Sequence, residues 1–227
     1  MNLDALKSSG FDVRSVSRAR TTLVRRLPGA LHGLCHVLSQ FYIEDVELVR
    51  SGGGLSQQTR RLRNDLIGIG WEAEGRLNLL YNGGVGSVVL RIAWNSKNTT
   101  FDRDLEDFQR LHTQGRADAG IIVTRGASLQ ESLELIVRAW AQENRIQSFD
   151  ALTRFGVRPT QRQLAQVPVT GPDFPAAWAP KFVADKFSST TTHWEQLQAR
   201  VDEEAKHPCP LLLLGIPAAS VRRQAAP

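Results

Sequence analysis

Residues 87–112 read Ser87-Val88-Val89-Leu90-Arg91-Ile92-Ala93-Trp94-Asn95-Ser96-Lys97-Asn98-Thr99-Thr100-Phe101-Asp102-Arg103-Asp104-Leu105-Glu106-Asp107-Phe108-Gln109-Arg110-Leu111-His112. The first part alternates with period two, so Val88, Leu90, Ile92 and Trp94 share one face of a strand, and Val89, Arg91, Ala93 and Asn95 share the other. The apolar set marks the core face. From Asp102 to His112 the pattern turns helical, and Asp102, Asp104 and Glu106 stand where acids cap a helix and complement its dipole. Upstream, Leu77 to Tyr81 and the turn Asn82-Gly83-Gly84 complete a hairpin with the first strand. Downstream, Ala119 to Thr124 reads as a buried strand, Ser128 to Asn144 as an amphipathic helix begun by a serine cap, and Leu211 to Ile216 as a last buried strand. The order of helix, hairpin, helix, strand and helix predicts an α/β fold (α+β) with a mixed sheet flanked by helices.

Away from this centre, residues 12–50 carry Val24, Leu27, Leu31, Leu34, Val37, Leu38 and Phe41 at helical spacing, broken by Pro28-Gly29. A helical N-terminal region is expected there. Ser51-Gly52-Gly53-Gly54 reads as a sharp loop, and Gln57 to Ile69 as a helix ending at Gly70. Between Val157 and Pro180 five prolines predict extended or irregular chain. Residues 1–216 are expected to form one domain, and 217–227 a flexible tail poor in apolar residues.

The 227 residues are 41% hydrophobic and 22% charged, an ordinary globular balance. No apolar run is long enough to span a bilayer, and the first residues lack the apolar stretch of a signal peptide, so a cytoplasmic protein with no membrane partner is expected. Cys35 and Cys209 stand far apart without a second ligand pair, which fits reduced thiols and excludes a zinc ribbon. His32, His36 and His112 show no metal spacing. The net charge of +5 and pI of about 9.7 favour an anionic partner. Arginines gather at Arg14, Arg18, Arg20, Arg25 and Arg26, and again at Arg60, Arg61 and Arg63; each cluster suits phosphate contact or a solvated helix face.

The run Trp94 to His112, followed by Ile121-Ile122-Val123-Thr124-Arg125-Gly126, resembles the BglII/BamHI-like type II restriction endonucleases. The glycine-rich Leu48 to Gly54, Gly70-Trp71-Glu72 and Ser189-Thr190-Thr191-Thr192-His193-Trp194 extend the resemblance over roughly residues 45–216. It implies a restriction endonuclease-like PD-(D/E)XK core, a homodimer on double-stranded DNA, a place in a restriction-modification system, and cleavage of both strands with Mg²⁺. In active relatives one acid on the first hairpin strand and two more spaced i and i+2 on the second hold the metal against the scissile phosphate.

The chain departs from that pattern at each place. The family's catalytic positions fall on Asn78, Arg91 and Ala93, with Lys97 just beyond the strand as a phosphate contact or an ordinary surface lysine. Three carboxylates would carry −3, whereas one arginine and two uncharged residues carry +1. Mg²⁺ does not exchange its water for neutral or cationic groups, so no bound metal is expected in this chain. Arg91 and Ala93 are expected to face a cleft. The exchange reads as natural divergence or deliberate substitution, and the short stretch between Trp71 and Asn78 leans towards divergence. Glu72 and Glu74, also spaced i and i+2, are alternative ligands or a solvated strand end. The resemblance further points to Arg60, Arg61, Arg63, Arg125, Ser189, Thr190, Thr191 and His193 as DNA-binding residues, with a capping segment before Trp194 as the alternative for the last group. Two functions stay open: a site-specific deoxyribonuclease, or a catalytically silent DNA-binding or dimerising accessory protein of a defence system.

Overall fold

A computed structural model describes residues 2–50, 55–74, 78–168, 170–203 and 207–223. The loop expected at Ser51–Gly54, Leu77 at the start of the hairpin, and tail residues 224–227 lie outside the described residues. In chain order the elements are α1 (Leu3–Ser8), β1 (Asp12–Val16), α2 (Ala19–Arg26), α3 (Pro28–Gln40), β2 (Ile43–Glu44), α4 (Asp45–Val49) and α5 (Gln57–Gly68). The hairpin region holds β3 (Glu72–Glu74), β4 (Asn78–Asn82) and β5 (Ser87–Ala93), followed by α6 (Thr99–Thr113), β6 (Ala119–Arg125) and α7 (Ala127–Glu143). The last part holds α8 (Phe149–Thr153), α9 (Gln161–Gln166), α10 (Phe174–Lys186), α11 (Trp194–Glu203), β7 (Leu211–Ile216) and β8 (Val221–Arg222).

Six strands form one mixed sheet in the order β1-β7-β6-β5-β4-β3. β5, β6 and β7 run parallel, while β1, β4 and β3 join antiparallel. Parallel central strands need cover on both faces, and both are covered here. Val88, Leu90 and Ile92 join Ile121, Val123, Leu212 and Leu214 in the main core with α3, α5, α7 and α10. Val89 and Ala93 join Ile122, Leu211 and Leu213 in a second cluster under α6 and α11. Gly120 lets α6 come close: a Cβ there would lie 2.5 Å from the Phe108 ring.

Several expectations change. Asp12–Val16 is a strand, not helix; its five residues pair antiparallel with Leu211–Gly215, and Ser17 and Arg18, with φ of 48° and 64°, turn the chain into α2. The helical reading of 12–50 was drawn from apolar residues beginning at Val24, so this short edge strand carried no weight in it. The proline-rich stretch contains α9 and α10, because Pro175 sits in the first turn, where no N–H is needed, and Trp178, Ala179 and Phe182 bury themselves in the main core despite Pro180 inside the helix. Helix α7 is not capped by Ser128. Asp12 Oδ2 accepts the Ala127 N–H at 2.8 Å, in space that Gly126 and Gly215 leave open. Beyond Ile216, Val221–Arg222 form β8, which pairs in parallel with β2, and the Arg222 guanidinium lies 4.6 Å from the Tyr42 ring centre. Among the described residues no helix is long and apolar enough to cross a membrane.

Candidate functional site

Strand register aligns Glu74, Asn78, Arg91, Ile122 and Leu213 in one row across the sheet. In-register neighbours point to the same face, so Asn78 lies beside Arg91 as the hairpin reading requires. This row opens on a pocket of about 160 Å³ lined by Glu74, Asn78, Arg91, Asp107, Arg110 and Arg116. Ala93, two residues further along β5, is buried in the second cluster, so the cleft expected for both residues receives only Arg91.

Every carboxylate at this pocket is held by an arginine. Arg91 Nη2 lies 2.5 Å from Asp104 Oδ1, Arg116 Nη2 lies 3.3 Å from Glu74 Oε1, and Arg110 Nη2 lies 2.7 Å from Asp107 Oδ1. The first pair is the buried one: the Arg91 side chain is 14% exposed and that of Asp104 is 0%. Its geometry is short but poorly directed, and Arg91 Nε and Asn78 Oδ1 are buried without a partner. Desolvation pushes the Asp104 carboxyl up to about 6, although the Arg91 charge pulls it back part of the way.

Asp104 was expected as a capping acid at the start of the helix. It stands instead in the buried stripe of α6 with Phe101, Leu105 and Phe108. That position is the signal that could have exposed it: a carboxylate at i+3 within an i, i+4, i+7 apolar stripe has no solvent and must find a cation. Glu72 lies on the edge strand β3 opposite Leu80, and Glu74 opposite Asn78.

A second assembly lies at the C-terminal end of β5 and β6. Lys97 pairs with Thr191 in an antiparallel bridge, the Asn98 N–H donates to Thr190 O at 2.9 Å, and the Thr192 N–H donates to Ser96 O at 2.8 Å. Arg125 is fully buried at the end of β6. Its Nη2 donates to Thr191 Oγ1 at 2.7 Å and to Thr192 O at 3.0 Å, Nη1 reaches Asn95 Oδ1 at 3.3 Å, and the guanidinium lies 4.9 Å from the Phe187 ring centre. Burial lowers its pKa to about 9. Three separate sequence signals, the residues after β5, the end of β6 and the Ser189–His193 run, therefore meet in space.

Within that assembly Lys97, Ser189 and Thr190 are exposed, whereas His193 is buried, with Nδ1 2.6 Å from Glu195 Oε2 and Nε2 unpartnered. Next to it, Lys186 Nζ donates to Leu48 O at 2.7 Å and Arg50 O at 2.6 Å, which ties the chain before α5 to the segment leading into the Ser189–His193 run. Its pKa falls to about 8 through burial. On α5, Arg60 is exposed. Arg61 forks onto Glu47 at 2.9 and 2.7 Å and stacks on Tyr42, and Arg63 is half-buried.

The family model for restriction endonuclease BglII/BglIII matches residues 11–216. The chain belongs to that family. No curated protein and no solved structure matches it. Restriction endonucleases typically use Mg²⁺, and the donors required are carboxylates free to face the ion. At Asn78, Arg91 and Ala93, the positions expected to hold the metal, this chain offers an amide, a guanidinium and a methyl group, while Asp104 is turned to Arg91. This donor set does not fit Mg²⁺. Among the described residues no group of three His, Cys, Asp or Glu side chains is placed to hold a metal.

Proposed function

We propose that this member of the BglII/BglIII restriction endonuclease family binds duplex DNA as a homodimer in the cytoplasm and does not cut it with a metal ion at Asn78, Arg91 and Ala93. The observation that carries the reading is the Arg91–Asp104 ion pair in the middle of the hairpin row. A guanidinium fixed there stands where a ligand is needed, and Asp104, the carboxylate it touches, is already paired. Recruitment of Glu72 and Glu74 is disfavoured because only Glu74 of the two lines the pocket.

DNA binding draws support from the family, the net charge of +5 and the exposed groups at the strand ends. Lys97, Ser189, Thr190 and Arg60 are proposed to touch DNA directly. Arg61, Arg63, Arg125, Thr191 and His193 are half-buried or buried, and are assigned the task of holding those segments in position. Incubation of the protein with mixed-sequence duplex, with and without Mg²⁺ or Mn²⁺, tests the proposal. The expected result is retarded DNA of unchanged length. Discrete fragments that need the metal and vanish in Glu74→Ala would restore the nuclease reading with recruited acids.

A further inference from the structure

We infer that the Glu74–Asn78–Arg91 pocket is an anion site that seats one phosphate group of the nucleic-acid backbone on Arg91, Arg110 and Arg116, so that DNA binding needs no metal ion. The inference rests on the DNA-binding reading above and names a ligand for the pocket that reading leaves empty of function.

The pocket, of about 160 Å³, has room for one phosphate group with part of its hydration. Three guanidinium groups line it, from β5, from the end of α6 and from the turn before β6. The carboxylates that now occupy them differ in how firmly they hold. Arg110 and Arg116 are 56% and 57% exposed, and their partners Asp107 and Glu74 are themselves partly exposed. Such solvated pairs contribute about 0–1 kcal/mol and exchange readily. A phosphate oxygen accepts from guanidinium in paired, charge-assisted bonds, so it displaces them.

Arg91 behaves differently, because Asp104 is fully buried and cannot swing away. It fixes one edge of the guanidinium and leaves the rest on the pocket side, which orients the group before any ligand arrives. Where a metal-dependent site presents unpaired anions that repel DNA until the ion enters, this pocket matches each carboxylate with a guanidinium from the start. A pre-oriented guanidinium among exchangeable partners is an anion receptor and not a degraded metal site.

Fluorescence anisotropy with a mixed-sequence duplex, measured across KCl concentrations in EDTA and again in Mg²⁺, provides the test. Two variants are compared with wild type: Arg110→Gln with Arg116→Gln, both exposed, and Arg91→Gln with Asp104→Asn, which removes the buried charges together so that neither is left unpaired. Wild type is expected to bind equally in EDTA and Mg²⁺. Each variant should bind on the order of tenfold more weakly, with the slope of log affinity against log salt reduced by about 0.9, the value for one phosphate. Combining all four changes should remove no more than that one phosphate, because the three arginines share it.

Wild-type affinity and slope retained in both variants would overturn the site while leaving DNA binding intact. A requirement for Mg²⁺ in wild-type binding would overturn the metal-free claim. If the duplex is not bound at all, the DNA reading fails, and titration of inorganic phosphate followed by the NMR signal of the Arg91 Nε–H separates the sources. A shift lost in Arg110→Gln/Arg116→Gln then assigns the pocket to a free phosphate, and no shift removes it.

Discussion

Asp104 and Arg91 bring two charges out of water, and each tolerates burial only because the other is there. Removing one partner leaves the other charged, desolvated and unmatched. Arg91→Met or Asp104→Leu alone is expected to cost about 3–5 kcal/mol, and the double variant to return close to wild-type stability. Urea unfolding of the four proteins gives the coupling directly, and additive losses would show that the pair does not interact. The same carboxyl carries a pH dependence. Its folded pKa of about 6 lies above the ordinary 3.8, so between these values the folded chain holds a proton that the unfolded chain releases. Stability from this group is therefore greatest below about pH 4, falls as pH rises towards about 6, and is flat above that. The loss is on the order of 3 kcal/mol. The wild-type urea midpoint between pH 4 and 7, after subtraction of the Arg91→Met/Asp104→Leu curve, should trace this fall, and a flat difference would refute it.

Among the secondary elements, β6 is tied to the Ser188–His193 segment by the Arg125 side chain, beside the backbone bonds that join the same segment to Ser96 and Asn98. Arg125 reaches Asn95, Thr191 and Thr192 at once, and only a planar fork can do so. Arg125→Lys is expected to fail as a replacement, and Arg125→Met to behave like it. In both, the amides of Asn98 and Thr192, bonded across the joint, should exchange hydrogen at least tenfold faster, while the Ile121 and Ile122 amides within β6 keep their protection. Equal protection throughout would mean that the backbone bridge holds without the guanidinium. The period of β5 and the stripe of α6 were plain in the sequence, because each element repeats its own pattern. β1 was not, since five edge residues with mixed polarity carry too little pattern. Helix α10 was hidden by Pro180, whose local cost is outweighed by Trp178 and Phe182 in the core.

Taken as a complete particle, the protein should be a homodimer, since a symmetric duplex site calls for two copies about a twofold axis. Sedimentation at micromolar concentration should report about twice the 25.2 kDa chain mass, and a monomer at every concentration would remove the expectation. The family and the absence of carboxylates at Asn78, Arg91 and Ala93 were legible in the chain, because residue identity is a property of a line of residues, whereas the strand order was not. What the line could not contain is the partner each charge would find. Arg125 stood among the expected DNA contacts, and only the fold placed Thr191, 66 residues away, against its Nη2. Asp104 looked like a helix cap until Arg91 met it under α6. Tertiary packing decided both, because a buried charge takes the nearest counter-group in space, and nearness in space between distant residues exists only once the sheet has closed.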